Sequence, residues 1–296
     1  MALLAEERIA PRERGGNGTV TAAVGGAVSI RGVSKIYDPA GARVVALQGC
    51  SVEIAPGEFV AVVGPSGCGK STLLNTLAGF DTLTSGEIYL DGRLLADVNR
   101  PPSPGPDRVV VFQHGALFPW KTVLENVTYG PLRQNAMTKE AAEGKAIDLL
   151  RRCGGLDRVA TAYPAQLSSG MQRRVEIIRA LMNEPKVLLL DEPFRAMDTV
   201  SKTTMHNHLL EMYRMCGRTI VFITHDVEEA IYLADTVIVM TTRPGTVKQV
   251  LKVSLPRPRF PELMSSHEYL ELKRQAAEGV HEEAKKAFER GEREQA

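Results

Sequence analysis

Apolar and polar residues alternate in short runs through the first third of the chain, with turn-forming pairs between them. VSIRGVSKIY (28–37) has the two-residue period of a half-buried strand. SVEIAPGEFVAVVG (51–64) reads as two strands joined at Pro56-Gly57, and EIYLDGRLL (87–95) as a hairpin turning at Asp91-Gly92. Together these runs predict an antiparallel sheet beside the core. From about 122 to 154 the period lengthens to that of helices, clearest in KEAAEGKAIDLLRRCG (139–154). In MQRRVEIIRALM (171–182), Met171, Val175, Ile178 and Met182 share one face, and Pro185 ends the helix. KVLLLD (186–191) and TIVFIT (219–224) are nearly continuous apolar strands between helices, the pattern of a parallel sheet covered on both faces.

The ends of the chain lack such regularity. Residues 1–26 carry Gly, Ala, Thr and charges without a period and predict a flexible tail. From 261 to 296 a C-terminal helical tail is expected, rich in Glu, Lys, Arg and Ala from His267 onward. Its weak apolar stripe (Tyr269, Leu272, Ala276, Val280) suits either an exposed capping helix or a docked one. No internal repeat is evident.

Composition narrows the class only a little. At 296 residues, with 44% hydrophobic and 24% charged residues, the chain builds a sizeable core. A net charge of +1 provides no global basic field for nucleic acid. Cys50, Cys68, Cys153 and Cys216 are scattered, which suits neither a disulfide framework nor a zinc site and fits a reducing, cytosolic setting. No apolar run approaches the ~18–20 residues of a membrane span, and Glu6, Glu7 and Arg8 interrupt the only apolar stretch near the N-terminus.

The strongest chemical signal is VVGPSGCGKST (62–72), which follows a buried strand and precedes a helical run. Gly64, Pro65, Ser66, Gly67, Cys68, Gly69, Lys70, Ser71 and Thr72 match the phosphate-binding loop pattern. Glycines let backbone amides close around phosphate oxygens, and the helix N-terminus adds partial positive charge. Lys70 supplies a point charge for the β- and γ-phosphates, and the Ser71 hydroxyl suits Mg²⁺. Cys68 is either a thiol activated by the helix terminus or an incidental spacer. LLLDEP puts Asp191 and Glu192 at the end of an apolar strand, placed to hold Mg²⁺ and to polarise a water, or else to cap a helix. TIVFITHD (219–226) puts His225 at the end of a strand, on the ligand side of a parallel sheet or simply structural.

YPAQLSSGMQRRVEIIRAL (163–181), just before VLLLDEP, resembles the signature segment of ABC ATPases. The order also resembles that family: phosphate loop, Gln113 after the strand RVVVF, signature, Asp191-Glu192, Asp198, His225. The resemblance covers roughly 28–259 and implies an α/β fold, a P-loop NTPase with a RecA-like core, an antiparallel β-subdomain and an inserted α-helical subdomain at about 115–184. The nucleotide-binding domain is expected over 27–260. The implied cofactors are ATP and Mg²⁺. Tyr37 would stack on adenine, and Gln113 would sense Mg²⁺ and the hydrolytic water. Ser168, Ser169 and Gly170 would close over a partner's nucleotide, and Asp198 would bridge the dimer.

The resemblance further implies a second ATPase subunit, identical or different, and transmembrane permease subunits at the cytoplasmic face of the cell membrane. A solute-binding protein would act indirectly, and nucleic acid would not be a partner. The segment 113–130 with Phe118-Pro119-Trp120, the lead-in to the signature, and RPGTVKQVLKVSLPRPR (243–259) are similar to ATPases of nitrate, sulfonate and taurine importers. The alternative is a non-transport ABC ATPase acting on nucleic acid or ribosomes. Long coiled coils typical of DNA-repair members find no room in the interval of about fifty residues between Gln113 and the signature, which shows no heptads.

Two positions depart from the family. Ser169 stands where glycine is usual: it carries strain if φ is positive there or offers an extra hydroxyl donor if it is not, and it is expected to lower hydrolysis without abolishing it. Arg195 stands where a small residue is usual, either near the dimer seam or pointing to solvent.

Overall fold

The computed structural model describes residues 25–195 and 197–289. The segment expected as a flexible tail therefore lies almost wholly outside the described residues. Within them run β1 (Val28–Tyr37), β2 (Val44–Ile54), β3 (Phe59–Val63), α1 (Lys70–Ala78), β4 (Ser85–Leu90), β5 (Arg93–Ala96) and β6 (Arg108–Val111). There follow α2 (Val123–Arg133), α3 (Lys139–Arg152), α4 (Ser169–Leu181), β7 (Val187–Asp191), α5 (Thr199–Cys216) and β8 (Thr219–Ile223). The chain continues through α6 (Val227–Leu233), β9 (Thr236–Met240), β10 (Val247–Lys252) and α7 (His267–Glu289).

Two sheets divide the strands. The antiparallel one has the order β2-β1-β4-β5, and the other has the order β10-β9-β3-β8-β7-β6. In the second, β9, β3, β8, β7 and β6 are mutually parallel and β10 closes the edge antiparallel to β9. The strands joined at Pro56-Gly57 thus part company: β2 belongs to the first sheet and β3 to the second. The Asp91-Gly92 hairpin forms as its sequence demands, with φ of 52° and 74° at the two turn residues.

Strand alternation explains the layering. Phe59, Ala61 and Val63 of β3 face one core together with Leu188, Leu190, Ile220 and Phe222. Val60 and Val62 face the other, with Leu189, Val221, Ile238 and the α1 residues Leu73, Leu74 and Leu77. Helix α1 lies between the sheets, because the antiparallel sheet contributes Ile30, Leu47, Ile54 and Ile88 to the same core. Helices α2, α3 and α4 pack through Val123, Val127, Ala146, Leu150, Val175 and Ile178, the helical subdomain of the expected fold class.

The C-terminal helix is docked. Tyr269 and Ala276 are fully buried, Leu272 and Val280 pack beside them, and the Tyr269 hydroxyl donates to the Glu228 carbonyl at 3.2 Å. The stripe that looks weak in sequence is therefore a seam against α6 and β9. Truncating Tyr269→Ala is expected to cost about 3 kcal/mol in denaturant unfolding, as for other buried aromatics. Phe288, 84% exposed on the same helix, is expected to tolerate alanine within about 0.5 kcal/mol. Equal losses at the two positions would show that α7 is not held by its seam.

Candidate functional site

Between β3 and α1 the chain turns through Gly67 and Gly69 at φ of 74° and 97°, the left-handed region. A side chain at Gly69 would also put its Cβ 2.7 Å from the Ala46 carbonyl oxygen, so glycine is required there twice over. Lys70, the first residue of α1, folds back so that Nζ donates to the carbonyls of Gly64 and Pro65 at 2.8 and 2.9 Å. The loop thereby carries a nearly buried ammonium at a helix N-terminus. Cys68 is fully buried, and burial outweighs the Lys70 charge to push its thiol up. The structure favours the spacer reading of this cysteine over an activated thiol.

The ends of the parallel strands bring the acidic residues to this loop. Ser71 Oγ donates to Asp191 Oδ1 at 3.3 Å, although 120 residues separate them. Burial pushes the Asp191 carboxyl up, partly offset by the Ser71 bond and Lys70. A hydroxyl and a carboxylate side by side are hard oxygen donors, which fits Mg²⁺ in the form that keeps several waters and adds substrate phosphates.

Glu192 follows at φ of 40°, a conformation that costs a non-glycine residue on the order of 1–3 kcal/mol. Its amide donates to Ile223 of the neighbouring strand at 3.0 Å, which pins the turn. The same carboxylate oxygen, Oε2, lies 3.4 Å from His225 Nδ1 and 3.3 Å from the Arg195 guanidinium. Arg195 therefore leans back onto Glu192, an arrangement that neither sequence-based alternative anticipates. Behind His225, Thr224 donates to Glu229, which also holds His206 Nε2 at 2.7 Å. This buried Thr–Glu–His group braces the loop. Nothing in the sequence marks it, because His206 lies on α5 and Glu229 on α6.

Tyr37 sits at the end of β1, 38% exposed, with its hydroxyl donating to Asp81 and Lys35 above its ring at 4.8 Å. Burial, Asp81 hydrogen bonding and Asp81 charge raise its phenol pKa, and Thr72 of the phosphate loop opposes them in part.

Gln113 is held through its backbone. Arg173 of α4 donates to the Phe112 and Gln113 carbonyls at 2.7 and 2.6 Å and pairs with Glu176 at 2.6 Å. Glu176 in turn accepts from the Ala116 amide at 2.6 Å, and Arg179 donates to the Ala116 carbonyl at 2.8 Å. Three polar residues on one helix thus clamp the segment after β6. They are legible as charges in sequence but not as a clamp.

Ser168 caps α4 by accepting from the Met171 amide at 3.3 Å. Ser169 and Gly170 already belong to the first helical turn, and neither has positive φ, so the strain considered for Ser169 is absent. Rather than bonding to the phosphate loop of its own chain, Ser169 borders a cavity of about 710 Å³ shared with Gln113, Gly115, Arg195 and Met197. Asp198 caps α5, accepting from Val200 and Ser201 at 3.1 and 3.0 Å. Further along the same face of α4 a groove of about 670 Å³ is lined by Phe80, Phe112, Phe118, Tyr129 and Asn183. Trp120 stands 70% exposed near its rim, 5.7 Å from Phe118 between ring centres.

The chain is similar to known ATP-binding subunits over most of its length. Residues 47–195 match the family model described as ABC transporter. An uncharacterized ABC transporter ATP-binding protein of Methanocaldococcus jannaschii is 41% identical over 263 residues, covering 88% of this chain and 94% of that one. The nitrate import ATP-binding protein NrtD of Synechocystis sp. is 44% identical over 231 residues, covering 77% and 83%. A dimeric ATP-binding cassette solved in a post-hydrolysis state with ADP and Pi superposes with a TM-score of 0.65 at 32% identity, covering 77% of this chain and 100% of that one.

The Asp191 environment yields a pH-dependent test. A raised carboxyl in the folded chain means that ionisation favours unfolding. The stability this group contributes is full below its unfolded value of about 3.9 and is lost as pH rises through the folded value. Asp191→Asn is accordingly expected to raise Tm of the nucleotide-free chain at pH 7 by roughly 2 °C. The gain should shrink toward pH 4, and a mutant that melts lower than wild type at pH 7 would contradict this assignment of charge.

Proposed function

Because the chain belongs to the ABC transporter family of ATP-hydrolysing subunits, we propose that it drives uptake of a small anion such as nitrate, a sulfonate or taurine. The observation that carries the chemistry is the gathering of Lys70, Ser71, Asp191, Glu192 and His225 at one edge of the parallel sheet. Support for import comes from the 44% identity to a nitrate import ATP-binding protein.

In this reading the backbone of residues 64–72 and Lys70 hold the ATP phosphates, and Tyr37 stacks on the adenine. Ser71, Asp191 and Gln113 would hold Mg²⁺, which neutralises phosphate charge when bound. Glu192 takes a proton from water as the water oxygen bonds to the γ-phosphorus. The bond from that phosphorus to the bridging oxygen breaks, and ADP leaves with the electron pair. His225 steadies the Glu192 carboxylate and donates to the γ-phosphate. Ser168, Ser169 and Gly170 of a second ATPase subunit, identical or different, cover the nucleotide, with Asp198 at the seam.

No helix among the described residues is long and apolar enough to cross a membrane. Transmembrane permease subunits provide the span and place this subunit at the cytoplasmic face of the membrane. The aromatic groove beside Phe118 and Trp120 suits a cytoplasmic helix of such a permease. A solute-binding protein delivers the substrate from the far side.

Glu192→Gln is expected to lower turnover by about a hundredfold or more while leaving ATP binding intact. Tagged chain drawn from a mild-detergent membrane extract is expected to bring a multi-span protein with it. Recovery of ribosomes or DNA without a membrane protein would overturn the transport assignment. Arg195→Gly, by releasing the Glu192 carboxylate from a half-exposed ion pair, is expected to raise turnover by up to about fivefold. An unchanged rate would show that the pair does not restrain Glu192.

A further inference from the structure

The turn between β9 and β10, residues 241–246, touches the phosphate loop on one side and the C-terminal helix on the other. It is closed on itself by the Thr241 amide donating to the Thr246 carbonyl and the Thr246 amide donating to Thr241 Oγ1, both at 2.9 Å. Its tip, Gly245, is wedged between backbones: its amide donates to Ala46 at 3.0 Å, and its carbonyl accepts from Gln48 at 2.9 Å. A Cβ at Gly245 would stand 2.0 Å from the Cys68 carbonyl oxygen, so the turn lies directly against the phosphate loop. Arg243 adds a side-chain contact, with Nε donating to the Gly67 carbonyl at 3.4 Å. Its guanidinium lies 3.0 Å from the place a Cβ on Gly67 would take.

The other side of the turn is held by α7. Glu283, only 2% exposed, accepts from the Thr242 amide at 3.0 Å. Its second oxygen meets Lys286 at 2.6 Å and Lys248 at 3.0 Å. Burial alone would raise this carboxyl, but the two lysines and the amide outweigh it and hold it down to about 2. Lys248 Nζ also donates to the Gly279 carbonyl at 3.0 Å, tying β10 to the same helix turn. At Gly279 the helix comes close enough to β9 that a Cβ would lie 3.3 Å from Val239 Cγ1. A buried carboxylate on α7 therefore fixes the amide of one residue, and the next residue reaches the phosphate loop.

We propose that Glu283 is a positioning residue for nucleotide binding, acting through Thr242 and Arg243 on the carbonyl of Gly67. The C-terminal helix thus sets the affinity of the phosphate loop for ATP. The physical basis is that a buried amide left without its acceptor forces the turn to move toward a new partner. The turn cannot move without shifting Gly245 against Cys68 and Arg243 against Gly67. The inference rests on the reading of residues 64–72 as the nucleotide site.

The test is isothermal titration of the full chain with ATP, alongside Tm of each nucleotide-free protein. Wild type is expected to bind, and Lys70→Ala to lose binding. Failure of either control would overturn the nucleotide-site reading, and with it the basis of this proposal. Glu283→Ala is expected to raise Kd by about tenfold, and Glu283→Gln, whose amide oxygen still accepts from Thr242, to restore most of the affinity. Arg243→Ala is expected to weaken ATP binding in the same direction, and it carries the test if Glu283→Ala fails to fold. Wild-type Kd in Glu283→Ala with a lowered Tm would overturn the proposal by leaving α7 a purely stabilising role. So would wild-type Kd in Arg243→Ala, or a Gln variant that binds as poorly as Ala.

Discussion

Burial of both faces of the parallel sheet constrains everything else in this molecule. With Phe59, Ala61 and Val63 committed to one core and Val60 and Val62 to the other, β3 has no side chain left to offer a ligand until it ends. The same holds for β7 and β8, whose interiors are buried apolar residues. Polar chemistry is therefore pushed to the strand ends, where the phosphate loop, Asp191, Glu192 and His225 emerge side by side. Parallel register does the alignment: Asp191 pairs with Ile223, two residues before His225.

Crowding charges at that edge has consequences the structure manages locally. The Lys70 ammonium is satisfied by carbonyls of its own loop, and Asp191 accepts from Ser71. Glu192 is oriented by His225 and Arg195 on one carboxylate oxygen, and its positive φ is kept by the bond from its amide to Ile223. The strain sits at the proposed general base, where a fixed carboxylate direction has chemical value. Arg195 gives this chain an extra cation at that point.

The site is also tied to parts of the molecule remote from the phosphates. Arg173, held by Glu176, ties α4 to the backbone carbonyl of Gln113. Buried ion pairs of this kind add little net stability, but losing one partner is costly, which makes them firm mechanical links. The C-terminal helix is a second such link, through the turn that abuts the loop at Gly67 and Cys68.

Local chemistry written in consecutive residues was decided by the sequence itself. The glycine-rich loop, the Asp91-Gly92 hairpin, the apolar strands and the helix faces all follow from short-range sterics and periodicity, and each formed where its pattern lay. The order of motifs then sufficed to place the chain in its family. Other features were illegible because their partners are far apart in the chain. Gln113 meets Arg173 across 60 residues, Glu229, which accepts from Thr224, meets His206 of another helix, and Glu283 reaches Thr242 across 41. The Tyr269 stripe looked weak because its seam is filled partly by Ala276, Gly279 and the Glu283 carboxylate, small or polar residues that read as exposed until the packing is seen. Sequence thus determined which groups the protein owns and the local shapes that present them. Tertiary structure alone decided which groups meet, because a contact between distant residues depends on how whole layers stack and leaves no local pattern to read.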